Sequence, residues 1–141
     1  MAKRSDQVDL LSGVDLFSGL SRKEVGLILQ YMRDHEFPAG RVVVSEGDEG
    51  GRFFLIVSGN AVVRRGGRRI RKLGPGDSFG DIALIDGGPR SATVEAETPL
   101  STLSLATWNF KGALRENPSI GFKLLLVLCK RLREAESRGP I

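Results

Sequence analysis

The chain has 141 residues, 40% of them hydrophobic, with a formal net charge of +4. That length suits one domain with one core, and so modest a charge does not point to nucleic acid or a membrane surface as partner. The longest unbroken apolar run, residues 124–129, is far short of the roughly 20 residues a membrane span needs, and a single cysteine, Cys129, excludes an internal disulfide.

Taken in order, the first 13 residues place charges on both sides of a short apolar pair and contain no secretory core. With the lone cysteine, this predicts a cytoplasmic setting. Leu10, Leu11, Val14, Leu16 and Phe17 form a first apolar group. Ser21 to Glu24 then reads as a capping box, with Leu20 and Val25 placed as a hydrophobic staple. Val25, Ile28, Leu29 and Met32 recur at i, i+3, i+4 and i+7, which is one face of a helix. A helical part over residues 8–36, in two pieces, is expected.

At Phe37 the pattern changes. Glycine makes up 18 of 141 residues against an average usage of about 7%, and twelve of them fall between Gly40 and Gly88. The middle of the chain is therefore turn-rich, as many short strands require. Strands are expected at residues 41–45, 52–58, 61–65, 68–73, 92–96 and 100–105. The run 52–58 is nearly all apolar and has the look of a buried strand. Turn residues separate the runs, with Gly66-Gly67 as a hairpin signal. Roughly eight short strands at regular spacing over residues 37–105 suggest a barrel or jelly roll.

Helices return over residues 107–136. A short one spans 107–114, where Trp108 is read as a packing residue. Asn117 and Pro118 then fit N-cap and N1 of a second. Its middle, with Ile120, Leu124, Leu125, Leu126, Val127, Leu128, Cys129 and Leu132, is apolar nearly all round. Such a helix is expected to be buried on more than one side, against the barrel, a second copy, or a ligand. Cys129 is read as a small buried hydrophobe.

Residues 79–94, FGDIALIDGGPRSATV, carry the chemistry. Gly80 has no Cβ and lets the backbone approach a ligand closely. Residues 81–85 fit a single helical turn, whose first N–H groups favour an anion. Asp81 supplies an acceptor for a sugar hydroxyl, or else an N-cap for that turn. Arg90 supplies a forked, permanently charged donor that matches phosphate, and Ser91 and the N–H of Ala92 add bonds to the same oxygens.

In this order the segment resembles the phosphate-binding cassette of the cyclic nucleotide-binding domain family, which reads F-G-E-[LI]-A-L, a variable turn, then P-R-[STA]-A-[TS]-V. The segments VDLFSGLS, FPAG, EGD, FFLIVSG and LGPGDSFG extend the resemblance to residues 14–136. It implies a mainly β, α+β fold: an eight-stranded antiparallel β-roll with N-terminal helices and C-terminal lid helices, in one domain of 1–141. It implies a receptor or regulatory module for cAMP or cGMP. Arg90 would neutralise the cyclic phosphate, with Ser91 and Ala92 beside it. Gly80, Ile82 and Ala83 would contribute backbone groups, and Asp81 would take the ribose 2′-OH. Signalling would run through the last helix, hinged at residues 115–118, with Leu124, Leu125, Leu128 and Leu132 as lid residues over the base.

The departure is Asp81, where the family carries glutamate. Aspartate reaches about one bond, roughly 1.5 Å, less far. A direct bond to the ribose then needs a closer backbone or a bridging water. The same residue supports the alternative reading, a ligand-incompetent relative acting as a dimerisation or docking module. Ser91 does not separate cAMP from cGMP. Arg64, Arg65, Arg68, Arg69, Arg71 and Lys72 cluster at one hairpin, which reads as a solvated edge that discourages strand pairing. No aromatic residue is interleaved to stack a base, so no nucleic-acid partner is expected. His35 is the sole histidine, and neither it nor Cys129 has partners for a metal site or a catalytic pair. No enzyme activity is expected. The 141 residues hold no helix-turn-helix, so the expectation is a stand-alone receptor acting on an effector in trans or through self-association.

Overall fold

Residues Arg52–Ser58 form a strand whose central side chains are buried on both faces, and the two apolar clusters of the protein meet along it. Side chains alternate across a strand. Phe53 and Leu55 accordingly join a cluster with the helices, while Ile56 joins a second cluster fed by both sheets. This is why the run reads as continuously apolar.

The computed structural model describes residues 3–136. In chain order it contains α1 (Arg4–Ser12), a 3-10 turn (Asp15–Phe17), α2 (Arg22–Gln30), β1 (Arg33–Phe37), β2 (Val42–Val44), β3 (Arg52–Ser58), β4 (Ala61–Arg65), β5 (Arg68–Leu73), β6 (Ser78–Phe79), α3 (Asp81–Asp86), β7 (Thr93–Ala96), β8 (Leu100–Ala106), α4 (Thr107–Glu116) and α5 (Pro118–Ala135). The strands form two four-stranded antiparallel sheets, β1-β8-β3-β6 and β2-β7-β4-β5. The α+β class and the eight-stranded roll flanked by helices are as expected.

The capping box at α2 closes both ways. The Glu24 N–H donates to Ser21 Oγ at 3.2 Å, and the Ser21 N–H donates to Glu24 Oε1 at 2.8 Å. Val25, Ile28 and Leu29 bury on one face. The helical part differs from the expected 8–36, however. It begins at Arg4 and ends at Gln30, and Arg33–Phe37 is a strand. Arg33, Asp34, His35 and Glu36 are all exposed, so no alternation marks the strand. It exists because its backbone pairs with β8, from Arg33 opposite Ser104 to Phe37 opposite Leu100.

The last helix corrects a second expectation. It buries Ile120 and Leu124, but Phe122, Leu125, Leu126 and Leu132 are each more than half exposed, and Cys129 is exposed. One side packs on the helical cluster and the other is uncovered. No helix among the described residues is long and apolar enough to cross a membrane. Trp108 is likewise on the surface, 71% exposed, with the Arg115 guanidinium 5.6 Å from its ring centre. Asn117 stands alone between α4 and α5 in a non-helical conformation, φ −140° and ψ 82°. Its side chain caps no backbone group and instead accepts the Ser119 hydroxyl at 2.7 Å.

Candidate functional site

The four strands of the second sheet, β6 and the cassette line a cavity of about 510 Å3, within the range of roughly 300–1,000 Å3 typical of small-molecule sites. All seven cassette residues singled out from the sequence, Gly80, Asp81, Ile82, Ala83, Arg90, Ser91 and Ala92, lie on its wall.

Arg90 is held from two sides. Its backbone is clamped by the turn before β3. The Arg90 N–H donates to Asp48 O at 2.8 Å, the Gly47 N–H donates to Arg90 O at 2.9 Å, and the Gly50 N–H donates to Gly88 O at 2.9 Å. Its side chain is anchored by Nη2, which donates to Arg52 O at 2.7 Å. The remaining guanidinium nitrogens, Nε and Nη1, are buried and have no partner among the described residues. Burial, and then the neighbouring Arg52 charge, push the Arg90 pKa below the ordinary arginine value. Buried polar groups are nearly always hydrogen-bonded. Two buried, orphaned donors on one half-buried cation therefore mark a place for an anion.

Gly80 has a role the sequence did not suggest. Its φ of +87° is left-handed, a conformation glycine adopts freely. A Cβ there would fall on Arg90 Nη1 and lie 2.7 Å from Arg52 O. The missing side chain makes room for the arginine itself. Gly80 is also the N-cap of α3, which corrects the reading of Asp81 as cap.

Asp81 is already engaged. Its Oδ1 accepts the Ile82 N–H at 2.8 Å, so that N–H is not free for a ligand. Its Oδ2 lies 2.9 Å from Arg131 Nη2, on α5. Arg131 also reaches Asp15, donating from Nε at 2.8 Å with Nη2 at 2.7 Å. Burial works against the Arg131 charge, but Asp15 and Asp81 outweigh it and its pKa is raised. Arg131 thus joins the last helix to the cassette and to the N-terminal 3-10 turn.

The four leucines expected as lid residues do not line the cavity. Leu124 sits in the helical core and Leu128 packs partly against it, while Leu125 and Leu132 face outward. The α5 helix packs instead on the 3-10 turn and α4. The cavity floor is a cross-sheet row that sequence reasoning missed. Val44 pairs with Val94, Val94 with Val63, and Val63 with Arg71, and all four side chains line the cavity. Arg65 lines it too and donates from Nε to Ser91 O at 3.0 Å, tying the hairpin to the cassette. The sequence signal for this was present as alternation in β4, but a register shift between Val63 and Arg64 hides its continuation into β5.

Comparison with known proteins identifies the family. The family model "Cyclic nucleotide-binding domain" matches residues 34–117. The chain is 35% identical over 131 residues to the cyclic AMP receptor protein of Thermus thermophilus, which covers 89% of this chain and 61% of that protein's own length. It is 39% identical over 111 residues to a cyclic nucleotide-gated potassium channel of Mesorhizobium japonicum, covering 79% of this chain and 31% of the channel. Among solved structures, the N-terminal domain of a transcriptional regulator from Streptomyces coelicolor superposes with a TM-score of 0.84 at 26% identity, covering 90% of this chain and 92% of that one.

Proposed function

The chain belongs to the cyclic nucleotide-binding domain family, and from that premise we propose that it is a receptor or regulatory module for a cyclic mononucleotide, cAMP or cGMP. The observation that carries this reading is Arg90, a half-buried cation at the cavity wall with two buried, unsatisfied donors. A cyclic phosphate carries one negative charge on two free oxygens, and a guanidinium fork matches such a pair. The Ser91 hydroxyl and the Ala92 N–H add donors beside it. Gly80 shapes the approach, and the first turn of α3, with Ile82 and Ala83, flanks the sugar. The ribose 2′-OH goes to Asp81, and the base rests on the valine floor.

Signalling follows from the contact between Asp81 and Arg131. A ribose hydroxyl that bonds Asp81 Oδ2 competes with Arg131 for that oxygen, so ligand occupancy loosens the hold of the cassette on α5. A ligand shifts an equilibrium only through differential contacts with the two states, and this exchange is such a contact. Asn117 is the pivot. Of the four leucines, Leu125 and Leu132 are free to cover a ligand after α5 moves, whereas Leu124 would first have to leave the core.

The chain spans 61% of the length of the Thermus relative and 31% of the channel. The output proposed for it is carried by an effector in trans or by self-association through the uncovered side of α5, in a cytoplasmic setting. A second reading, a ligand-incompetent docking module, draws on that same uncovered side and on the engaged state of Asp81. Titration calorimetry with cAMP and cGMP separates the two. Saturable binding that Arg90→Ala abolishes supports the receptor, and no binding of either nucleotide supports the docking module.

A further inference from the structure

The pairing of β4 with β7 stops just short of the polar end of the cassette. It runs from Ala61 opposite Ala96 to Arg64 opposite Thr93, so Ala92 and Ser91 lie one and two residues beyond its last rung. There a side chain stands in for the missing backbone partner: Arg65, the next residue of β4, donates from Nε to Ser91 O at 3.0 Å. Other cations of the hairpin are turned elsewhere, Arg64 to Glu95 at 3.5 Å, and Arg69 and Lys72 to Glu97 at 3.4 Å each. The turn behind Arg65 is fastened as well. The Gly66 N–H donates to Glu46 Oε1 at 2.9 Å, and the Glu46 N–H donates to Thr93 Oγ1 at 2.9 Å. Arg65 thus reaches Ser91 from a fixed base.

We propose that Arg65 is a positioning residue for the phosphate, acting through the peptide unit between Ser91 and Ala92. The inference rests on the cyclic nucleotide reading above. The Ser91 carbonyl and the Ala92 N–H are opposite edges of one planar unit. A bond that fixes the oxygen therefore fixes where the N–H points. Ala92 lines the cavity and is only 9% exposed, and its N–H donates to no group among the described residues. Buried backbone N–H groups are nearly always paired, which leaves this one, like Arg90 Nε and Nη1, for a ligand. Without Arg65, the Ser91–Ala92 unit would lie past the end of the sheet with nothing to hold its carbonyl. A donor already aimed loses less freedom when the ligand arrives, and that preorganisation appears as affinity. The phosphate is common to cAMP and cGMP, so the contribution of Arg65 is the same for both.

The test joins calorimetric affinity for cAMP and cGMP to the amide NMR signal of Ala92. In Arg65→Ala, affinity for each nucleotide that the wild type binds should fall by the same factor, about tenfold. The shift that the ligand induces in the Ala92 amide should shrink with it. Arg65→Lys keeps a donor for Ser91 O and should restore part of both. Arg64→Ala removes the neighbouring hairpin charge on the side away from the cavity, and should change affinity by less than about twofold. Arg65 is exposed, and unchanged melting of the variants shows that the site, and not the fold, has moved. Wild-type affinity in Arg65→Ala overturns the inference. So does weaker binding with the Ala92 shift intact, or an equal loss in Arg64→Ala, either of which would reduce Arg65 to a charge or a direct ligand contact. These outcomes leave the receptor reading standing, whereas a wild type that binds neither nucleotide overturns both.

Discussion

Arg131 Nη2 lies 2.9 Å from Asp81 Oδ2, so the carboxylate proposed to take the ribose hydroxyl is held by the last helix. The partners come from α5 and from the start of α3, and both side chains are about one-third exposed. Partly exposed pairs of this kind are worth about 0.2–1 kcal/mol. The hold is strong enough to bias a conformation and weak enough for a ligand to displace. Arg131→Ala frees Asp81 without touching the cavity wall. Affinity for the cyclic nucleotide should rise about two- to fivefold, measured by titration calorimetry. Weaker binding in the variant would show that Arg131 positions Asp81 for the ligand and does not compete with it.

The same contact predicts where the ligand is felt. Hydrogen exchange over Pro118–Ala135 should change on saturation, most at the end that carries Arg131, with Asn117 as the boundary between moving and fixed segments. Exchange that is identical with and without ligand across the whole of α5 rules out this helix as the signalling element.

Arg90 makes a prediction of two signs. Removing it leaves a bound phosphate unpaired in a partly buried site, which typically costs about 2–5 kcal/mol of binding. Affinity should therefore fall by well over tenfold in Arg90→Ala. The ligand-free protein should change little in melting temperature, because the deleted half-buried cation gives up one hydrogen bond, to Arg52 O, together with two unsatisfied donors. In the wild type, ligand at a hundred times its dissociation constant should add about 2.7 kcal/mol of stability. A variant that binds as the wild type does places the phosphate elsewhere.

What was legible in the sequence was local. The cassette is contiguous, so Gly80 to Ala92 could be assembled from one stretch of chain, and glycine-marked turns placed most strands. What was not legible depends on distant pairing. β1 is a strand because β8 lies beside it, and its exposed Arg33, Asp34, His35 and Glu36 carry no period. Arg131 meets Asp81 and Asp15 only after three segments fold together. Leu124 and Leu125 are chemically identical and adjacent, yet one is buried and the other exposed. Their difference is about 100° of rotation around α5, which hydrophobicity alone does not orient. Arg71 stood in a run of cations, and a register shift decided which of them faced inward.

Gly80 should tolerate no side chain. A non-glycine residue at φ +87° costs about 1–3 kcal/mol, and the added Cβ would displace the guanidinium of Arg90. Gly80→Ala should lower both the melting temperature and the affinity, whereas Arg90→Ala lowers affinity alone. Full affinity in Gly80→Ala would mean that Arg90 does not need its present seat to bind the phosphate.

The seat of α5 on α2 should be acid-sensitive. Glu24 Oε1 lies 2.7 Å from Lys123 Nζ, and Oε2 accepts the Ser119 hydroxyl at 3.3 Å. The Lys123 hydrogen bond, followed by the Ser21 N–H, holds the Glu24 carboxyl at about 2, below its ordinary value of 4.5. A carboxyl depressed on folding contributes its full stability above the unfolded-state value and loses it as pH falls toward the folded one. The wild type should therefore lose stability between about pH 4.5 and pH 2 through this group, as α5 loosens from α2. Glu24→Gln should be less stable at neutral pH and show a shallower decline over that window in chemical denaturation. An equally steep decline in the variant would assign the acid sensitivity to groups other than Glu24.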